Sequence, residues 1–130
     1  MGRPRLLIVE DEAEIVALIE LTARGVGFDT LAVGSVGEIA AAAASFKPTA
    51  LLVDLSIVGG AGVAVLRPLA DAKISAPMVI MSGSGVSEHA DDDARRMGLN
   101  SIGRLDKPFR RAELRSALDR LQAACGSASD

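Results

Sequence analysis

The chain has no tryptophan and no tyrosine, and Phe28, Phe46 and Phe109 are its only aromatic residues. Stacking of nucleic-acid bases on aromatic side chains is therefore poorly supplied. One cysteine, Cys125, rules out an intrachain disulfide and fits a reducing compartment. The single histidine, His89, has no second histidine and no cysteine near it in sequence, so it lacks the company a zinc site requires. Positive charge is not in excess either. Fourteen basic against seventeen acidic residues give −3, which provides no overall pull toward DNA or an anionic membrane. No apolar stretch reaches the ~20 residues needed to span a bilayer. Met1-Gly2-Arg3-Pro4 leads straight into an apolar run, which is not the pattern of a signal peptide, and the expected location is cytoplasmic.

What remains is strongly aliphatic. Hydrophobic residues make up 49% of 130 positions, so a core of Leu, Ile, Val and Ala is expected. That length suits one domain burying roughly two-thirds of its unfolded surface. We read residues 1–125 as that domain and 126–130 as a polar tail. Four short apolar runs each end at a residue able to handle a phosphate or a divalent cation. They are Leu6 to Val9 before Glu10 and Asp11, Leu51 to Val53 before Asp54, Met78 to Met81 before Ser82, and Ile102 to Leu105 before Lys107 and Pro108. Such runs beside glycine or proline read as parallel strands buried on both faces.

Strands are expected at 5–9, 28–33, 50–53, 77–81 and within 101–106. Helices are expected at 12–24, 36–45, about 62–72, 87–97 and from Pro108 onward. This alternation predicts an α/β, doubly wound domain with a parallel sheet. Gly25 and Gly27 should end the first helix, Ser35 with Glu38 should form a capping box, and Pro68 should kink or shorten the third helix. Leu114, Leu118 and Leu121 give the last helix its buried stripe.

In an open α/β sheet, chemistry collects at the carboxyl ends of the strands. The adjacent carboxylates Glu10 and Asp11 repel each other unless a cation sits beside them. Magnesium takes oxygen ligands and keeps several waters, and Glu10, Asp11 and Asp54 supply such a set. An acid directly after a buried strand is costly. Asp54 therefore reads either as a cap for the Gly59-Gly60 loop or as a carboxylate nucleophile that accepts a phosphoryl group. Such a transfer depends on charge neutralisation and in-line positioning. Ser82 offers a hydroxyl at the next strand end. Lys107, fixed by Pro108, could join magnesium in offsetting the negative charge.

These residues are where the chain resembles the receiver domain of two-component response regulators. The likeness rests on Leu7-Ile8-Val9-Glu10-Asp11-Glu12, Leu51-Leu52-Val53-Asp54-Leu55, Gly62, Met81-Ser82-Gly83 and Asp106-Lys107-Pro108-Phe109. It implies a flavodoxin-like fold, five parallel strands in order 2-1-3-4-5 with five helices. It implies that Asp54 takes phosphate from the phosphohistidine of a histidine kinase. Asp11 and Asp54 would bind Mg2+ with the backbone carbonyl of Ser56, Glu10 would act directly or through water, and Ser82 and Lys107 would hold the phosphoryl oxygens.

Two positions depart from the family pattern. Val58 stands where relatives usually have proline. Arg104 stands three residues before the lysine, where many carry an aromatic residue that follows the hydroxyl inward on phosphorylation. An arginine does not fill an apolar slot, so the usual aromatic switch is not expected here. The segment from Gly98 to Lys107 is also longer than usual, and in that respect is similar to receivers that cooperate with cyclic-di-GMP phosphodiesterase domains. Ser56 and Ser84, both small, predict easy access of water and a short-lived phosphoryl group.

The remaining charged runs read as structural. Asp91-Asp92-Asp93 followed by Arg95-Arg96 suits a helix dipole, acids first and bases last. The function expected is a signalling switch, not a turnover enzyme. Its partners would be a histidine kinase or phosphotransfer protein and a downstream protein or output domain. The partner or homodimer surface would be the fourth helix, fifth strand and fifth helix, with Arg104, Arg111 and Arg115, without direct nucleic-acid or membrane contact. The alternatives are an unphosphorylated receiver-like interaction module and a flavin-binding domain of the same topology.

Overall fold

A computed structural model of the chain describes residues 2–57, 62–83 and 89–128. Strands and helices alternate as β1 (Arg5–Val9), α1 (Ala13–Val26), β2 (Asp29–Val33), α2 (Val36–Phe46), β3 (Ala50–Asp54), α3 (Val63–Asp71), β4 (Pro77–Ser82), α4 (Ala90–Arg96), β5 (Asn100–Asp106) and α5 (Arg111–Ala128). The five strands form one parallel sheet in the order β2-β1-β3-β4-β5. The sheet is flavodoxin-like, as expected.

Alternation along each strand splits the apolar runs between two cores. Leu7, Val9, Leu51, Val53, Met78 and Ile80 pack with Ile39 and Ala42 of α2, Val65, Leu66 and Leu69 of α3, and Ala90 and Ala94 of α4. Leu6, Ile8, Ala50, Leu52, Val79 and Met81 pack with Ile19 and Ala23 of α1 and Leu114, Leu118 and Leu121 of α5. This explains why residues 6–9 of β1, 50–53 of β3 and 77–81 of β4 are apolar without interruption. Each is covered on both faces.

Three helices end in the same way. The N–H of Phe28 bonds Ala23 O after Gly27 at φ 111°, and that of Leu99 bonds Ala94 O after Gly98 at φ 86°. Ile74 N bonds Leu69 O after Lys73, which takes φ 56° without being glycine. Each is a Schellman closure around one left-handed residue. Gly27 is therefore the terminator of α1, while Gly25 lies inside the helix. Pro68 sits within α3, which closes at Asp71 and runs only nine residues.

Other expectations shift in detail. Glu38 reaches back as a capping residue, but its Oε2 accepts from Gly34 N at 3.1 Å and from Ser35 Oγ at 2.9 Å. The Ser35 side chain makes no cap bond of its own and Glu38 bonds Gly34 N in place of Ser35 N, so the expected box does not form. The last helix starts at Arg111, not Pro108; the Lys107–Pro108 peptide is cis, and Glu113 Oε1 accepts from Arg110 N at 2.9 Å. That helix continues to Ala128, past the point where a tail was expected. β5 carries a bulge before Lys107. Met78 pairs with Ser101 and Val79 with Gly103, which leaves Ile102 over to pack beside the second core. Val58, Gly59, Gly60, Ser84 and the start of the expected helix at 87 lie outside the described residues.

Candidate functional site

β1 and β3 are register neighbours, with Val9 opposite Val53, so the residues that follow them, Glu10 and Asp54, come together at one end of the sheet. Both are buried to 1% exposure. Lys107 arrives from the end of β5, where its N–H bonds Ser82 O at 2.6 Å. Its Nζ lies 2.9 Å from Asp54 Oδ2 and 2.5 Å from Glu10 Oε1. Two buried carboxylates thus share one ammonium.

The remaining oxygens are differently supplied. Asp54 Oδ1 accepts from Ser56 N at 3.0 Å and Ser56 Oγ at 2.8 Å. Glu10 Oε2 accepts from Asp11 N at 3.0 Å and Glu12 N at 3.2 Å. Glu10 Oε1 is buried against the Lys107 ammonium. Asp11 is exposed, yet a carboxylate oxygen from each of Glu10, Asp11 and Asp54 lies within 4.8 Å of the others. Three hard oxygen donors so placed fit a magnesium ion.

The electrostatics follow from this sharing. Burial pushes the Glu10 carboxyl above its ordinary value, and the nearby Asp54 charge adds to the rise, against partial relief from Lys107 and the Glu12 N–H. Burial would raise Asp54 too, but the Ser56 N–H, the Lys107 ammonium and the Ser56 hydroxyl together hold it below its ordinary value. Burial lowers Lys107, and the two carboxylates outweigh it to leave the ammonium more basic than usual. Lys107 thus pairs with both carboxylates, while the Asp54 carboxyl is shifted down and the Glu10 carboxyl up.

A prediction follows for Glu10→Gln. Glu10 titrates higher in the folded chain, so the stability it contributes is present at low pH and lost as pH rises through its raised folded value. The glutamine variant keeps the acceptor and has no such loss. Without magnesium it is expected to be more stable than wild type at pH 7, by on the order of 1 kcal/mol for relief of one crowded buried charge. The gain should vanish below the ordinary glutamate range, and urea denaturation at several pH values measures both.

The Ser82 hydroxyl is directed toward β5. It donates to Asp106 Oδ1 at 2.8 Å and accepts from Arg104 Nε at 3.4 Å, and the residue is 4% exposed. Ser82 and Asp106 are register partners on β4 and β5. By strand alternation they share a face with Arg104, while Glu10, Asp54 and Lys107 follow the alternation of the other face. Beside Lys107, a cavity of about 430 Å³ opens between α1 and the turn into α5, lined by Glu12, Ile15, Leu18, Gly83, Pro108 and Phe109.

Residues 6–119 match the response regulator receiver domain family. The chain belongs to that family. It is 31% identical over 99 residues to the DNA-binding response regulator MtrA of Mycolicibacterium paratuberculosis, which covers 69% of this chain and 43% of MtrA. It is 29% identical over 110 residues to the cell cycle response regulator CtrA of Brucella ovis, covering 85% and 46%. The match thus spans less than half the length of these relatives. The receiver domain of NtrX from Brucella abortus superposes with a TM-score of 0.75 at 24% identity, covering 91% of this chain and 98% of that one, which shows a shared fold.

In this receiver Glu10, Asp11, Asp54, Ser56 and Lys107 lie together, and Ser82 stands at the same end with its hydroxyl bonded to Asp106. The residue missed was Asp106. It was visible as part of Asp-Lys-Pro-Phe, but only the β4–β5 register shows that it faces Ser82. Among the described residues no helix is long and apolar enough to cross a membrane.

Proposed function

We propose that this receiver is a phosphorylatable switch in which Asp54 takes a phosphoryl group from the phosphohistidine of a histidine kinase or phosphotransfer protein. The observation that carries the reading is the buried Asp54 with Lys107 Nζ 2.9 Å from its Oδ2. In the step, Asp54 Oδ2 attacks phosphorus and an O–P bond forms. The P–N bond to the donor imidazole breaks, and its electron pair goes to the ring nitrogen. Lys107 remains beside the oxygens where charge accumulates, as a fixed ammonium. Ser56 holds Asp54 Oδ1 and so fixes the carboxylate plane.

Glu10, Asp11 and Asp54, with the backbone carbonyl of Ser56, would hold Mg2+, which when bound supplies cationic charge to the phosphoryl oxygens. We assign residues 1–125 to the receiver unit, and α4, β5 and α5, with Arg104, Arg111 and Arg115, to a partner or homodimer surface. The unit acts through protein contacts rather than nucleic acid or membrane, in keeping with the slight excess of acidic over basic residues in the chain, and its place is the cytoplasm. It does not turn over an external substrate.

The test is incubation with magnesium and acetyl phosphate, with intact mass followed over time. One phosphoryl group per chain is expected, lost when the metal is chelated, and borohydride reduction should mark position 54. Calorimetric titration with magnesium should show one site, with affinity at least about 10-fold weaker in Asp11→Ala, since a direct ligand matters no less than the outer partners whose loss costs 10–100-fold. No mass gain and no magnesium heat would instead identify an unphosphorylated interaction module.

A further inference from the structure

We propose that Asp106 is a positioning residue that withholds the Ser82 hydroxyl from the phosphorylation site until a phosphoryl group competes for it. This rests on the reading of Asp54 as the phosphoryl acceptor. A serine hydroxyl has a single proton to donate. Here that proton is directed at Asp106 Oδ1, 2.8 Å away, so it is not available to an oxygen on Asp54. The two destinations exclude each other.

Geometry sets which destination wins. Ser82 and Asp106 are paired in register on adjacent strands, and Arg104, two residues earlier on β5, steadies both. Its Nε lies 3.4 Å from Ser82 Oγ and 3.8 Å from Asp106 Oδ1. The serine is buried, but the Asp106 side chain is 82% exposed, so their bond ends in water and is easily exchanged. An aspartyl phosphate carries more negative charge than a carboxylate, which makes its oxygens stronger acceptors for the same proton. Phosphorylation thus favours the turned-in serine, whereas the free carboxylate does not, and that difference is what moves a two-state equilibrium. When the serine leaves, the Arg104–Asp106 contact on β5 must rearrange. A polar exchange thereby stands where relatives carry an aromatic side chain.

The experiment measures the rate of phosphorylation by acetyl phosphate and magnesium, by intact mass, in wild type, Asp106→Ala, Asp106→Asn, Ser82→Ala and the Ser82→Ala/Asp106→Ala double variant. Asp106→Ala releases the hydroxyl and should accelerate transfer about threefold to tenfold, the equivalent of a modest hydrogen bond. Asp106→Asn keeps an acceptor oxygen while losing the charge, and should accelerate by less than twofold. Ser82→Ala should slow transfer, and adding Asp106→Ala to it should change nothing further, because the coupled partner is gone. Urea denaturation of each variant confirms that folded protein is compared.

Asp106→Ala at the wild-type rate overturns the inference. So does equal acceleration by Asp106→Asn, or acceleration that persists without Ser82, since either would reflect charge alone. In those cases the Asp54 reading stands, because wild type is phosphorylated. A wild-type protein that takes up no phosphoryl group overturns both.

Discussion

Alanine at position 54 is expected to abolish phosphoryl uptake from acetyl phosphate while leaving the chain folded. The chemistry needs a nucleophilic oxygen, and Asp54 combines a lowered pKa with a hydrogen bond from Lys107 Nζ to its Oδ2. Asp54 is held below its ordinary pKa by Ser56 and Lys107, while burial leaves Glu10 raised. Asp11 contributes to the cation site and has no contact with Lys107 among the described ion pairs. The fold should survive because the substitution removes one of two carboxylates that share one ammonium. Glu10 and Lys107 remain as a matched pair, and Ser56, being exposed, can turn its donors to water. Intact mass and far-UV circular dichroism on the same samples separate the two effects. Uptake at the wild-type rate would assign the acceptor elsewhere.

Lysine 107 to methionine should have the second-largest effect, and it should act on stability and rate together. Methionine fills the space without the charge, leaving Glu10 and Asp54 buried side by side with no cation. Removing one partner from a buried ion pair costs roughly 3 kcal/mol, and here two carboxylates lose the same partner. The loss should be recovered in magnesium, because an ion that binds only the folded state stabilises it in proportion to its occupancy. The magnesium-induced rise in melting temperature should therefore be larger in the variant than in wild type. Transfer from acetyl phosphate should fall by about 10² to 10³, the usual cost of deleting one preorganised charge at a centre where negative charge accumulates. A variant of unchanged stability, phosphorylated within twofold of wild type, would show that Lys107 is a bystander.

Much of this site was legible in the sequence because strand ends are marked by abrupt changes of polarity. Leu51-Leu52-Val53 followed by Asp54 can be read without coordinates, as can Lys107 fixed by Pro108, and both fall where expected. The bulge was half-visible. The stretch before Lys107 is long, but whether length becomes loop or bulge depends on pairing with β4, which leaves Ile102 over. The orientation of Ser82 was hidden for the same reason. Motif spacing places its backbone at a strand end, whereas the direction of its hydroxyl depends on a competitor 24 residues later in the chain. Helix boundaries followed hydrogen-bond geometry that composition suggests only loosely. Gly27 and Gly98 are natural terminators, but Lys73 takes the same left-handed conformation with no sequence signal.

Strand order has a mechanical corollary. Glu10 and Asp54 sit at the ends of β1 and β3, which are laced to neighbours on both flanks, while Arg104, Asp106 and Lys107 sit on or just past β5, bonded along one side only. Tilting an outer strand disturbs a single ladder of bonds; shifting an inner one disturbs two. The anionic centre therefore rests on the stiff middle of the sheet, and the groups that register its charge occupy the compliant margin, where a small strain can travel outward without loosening the ground beneath the reaction.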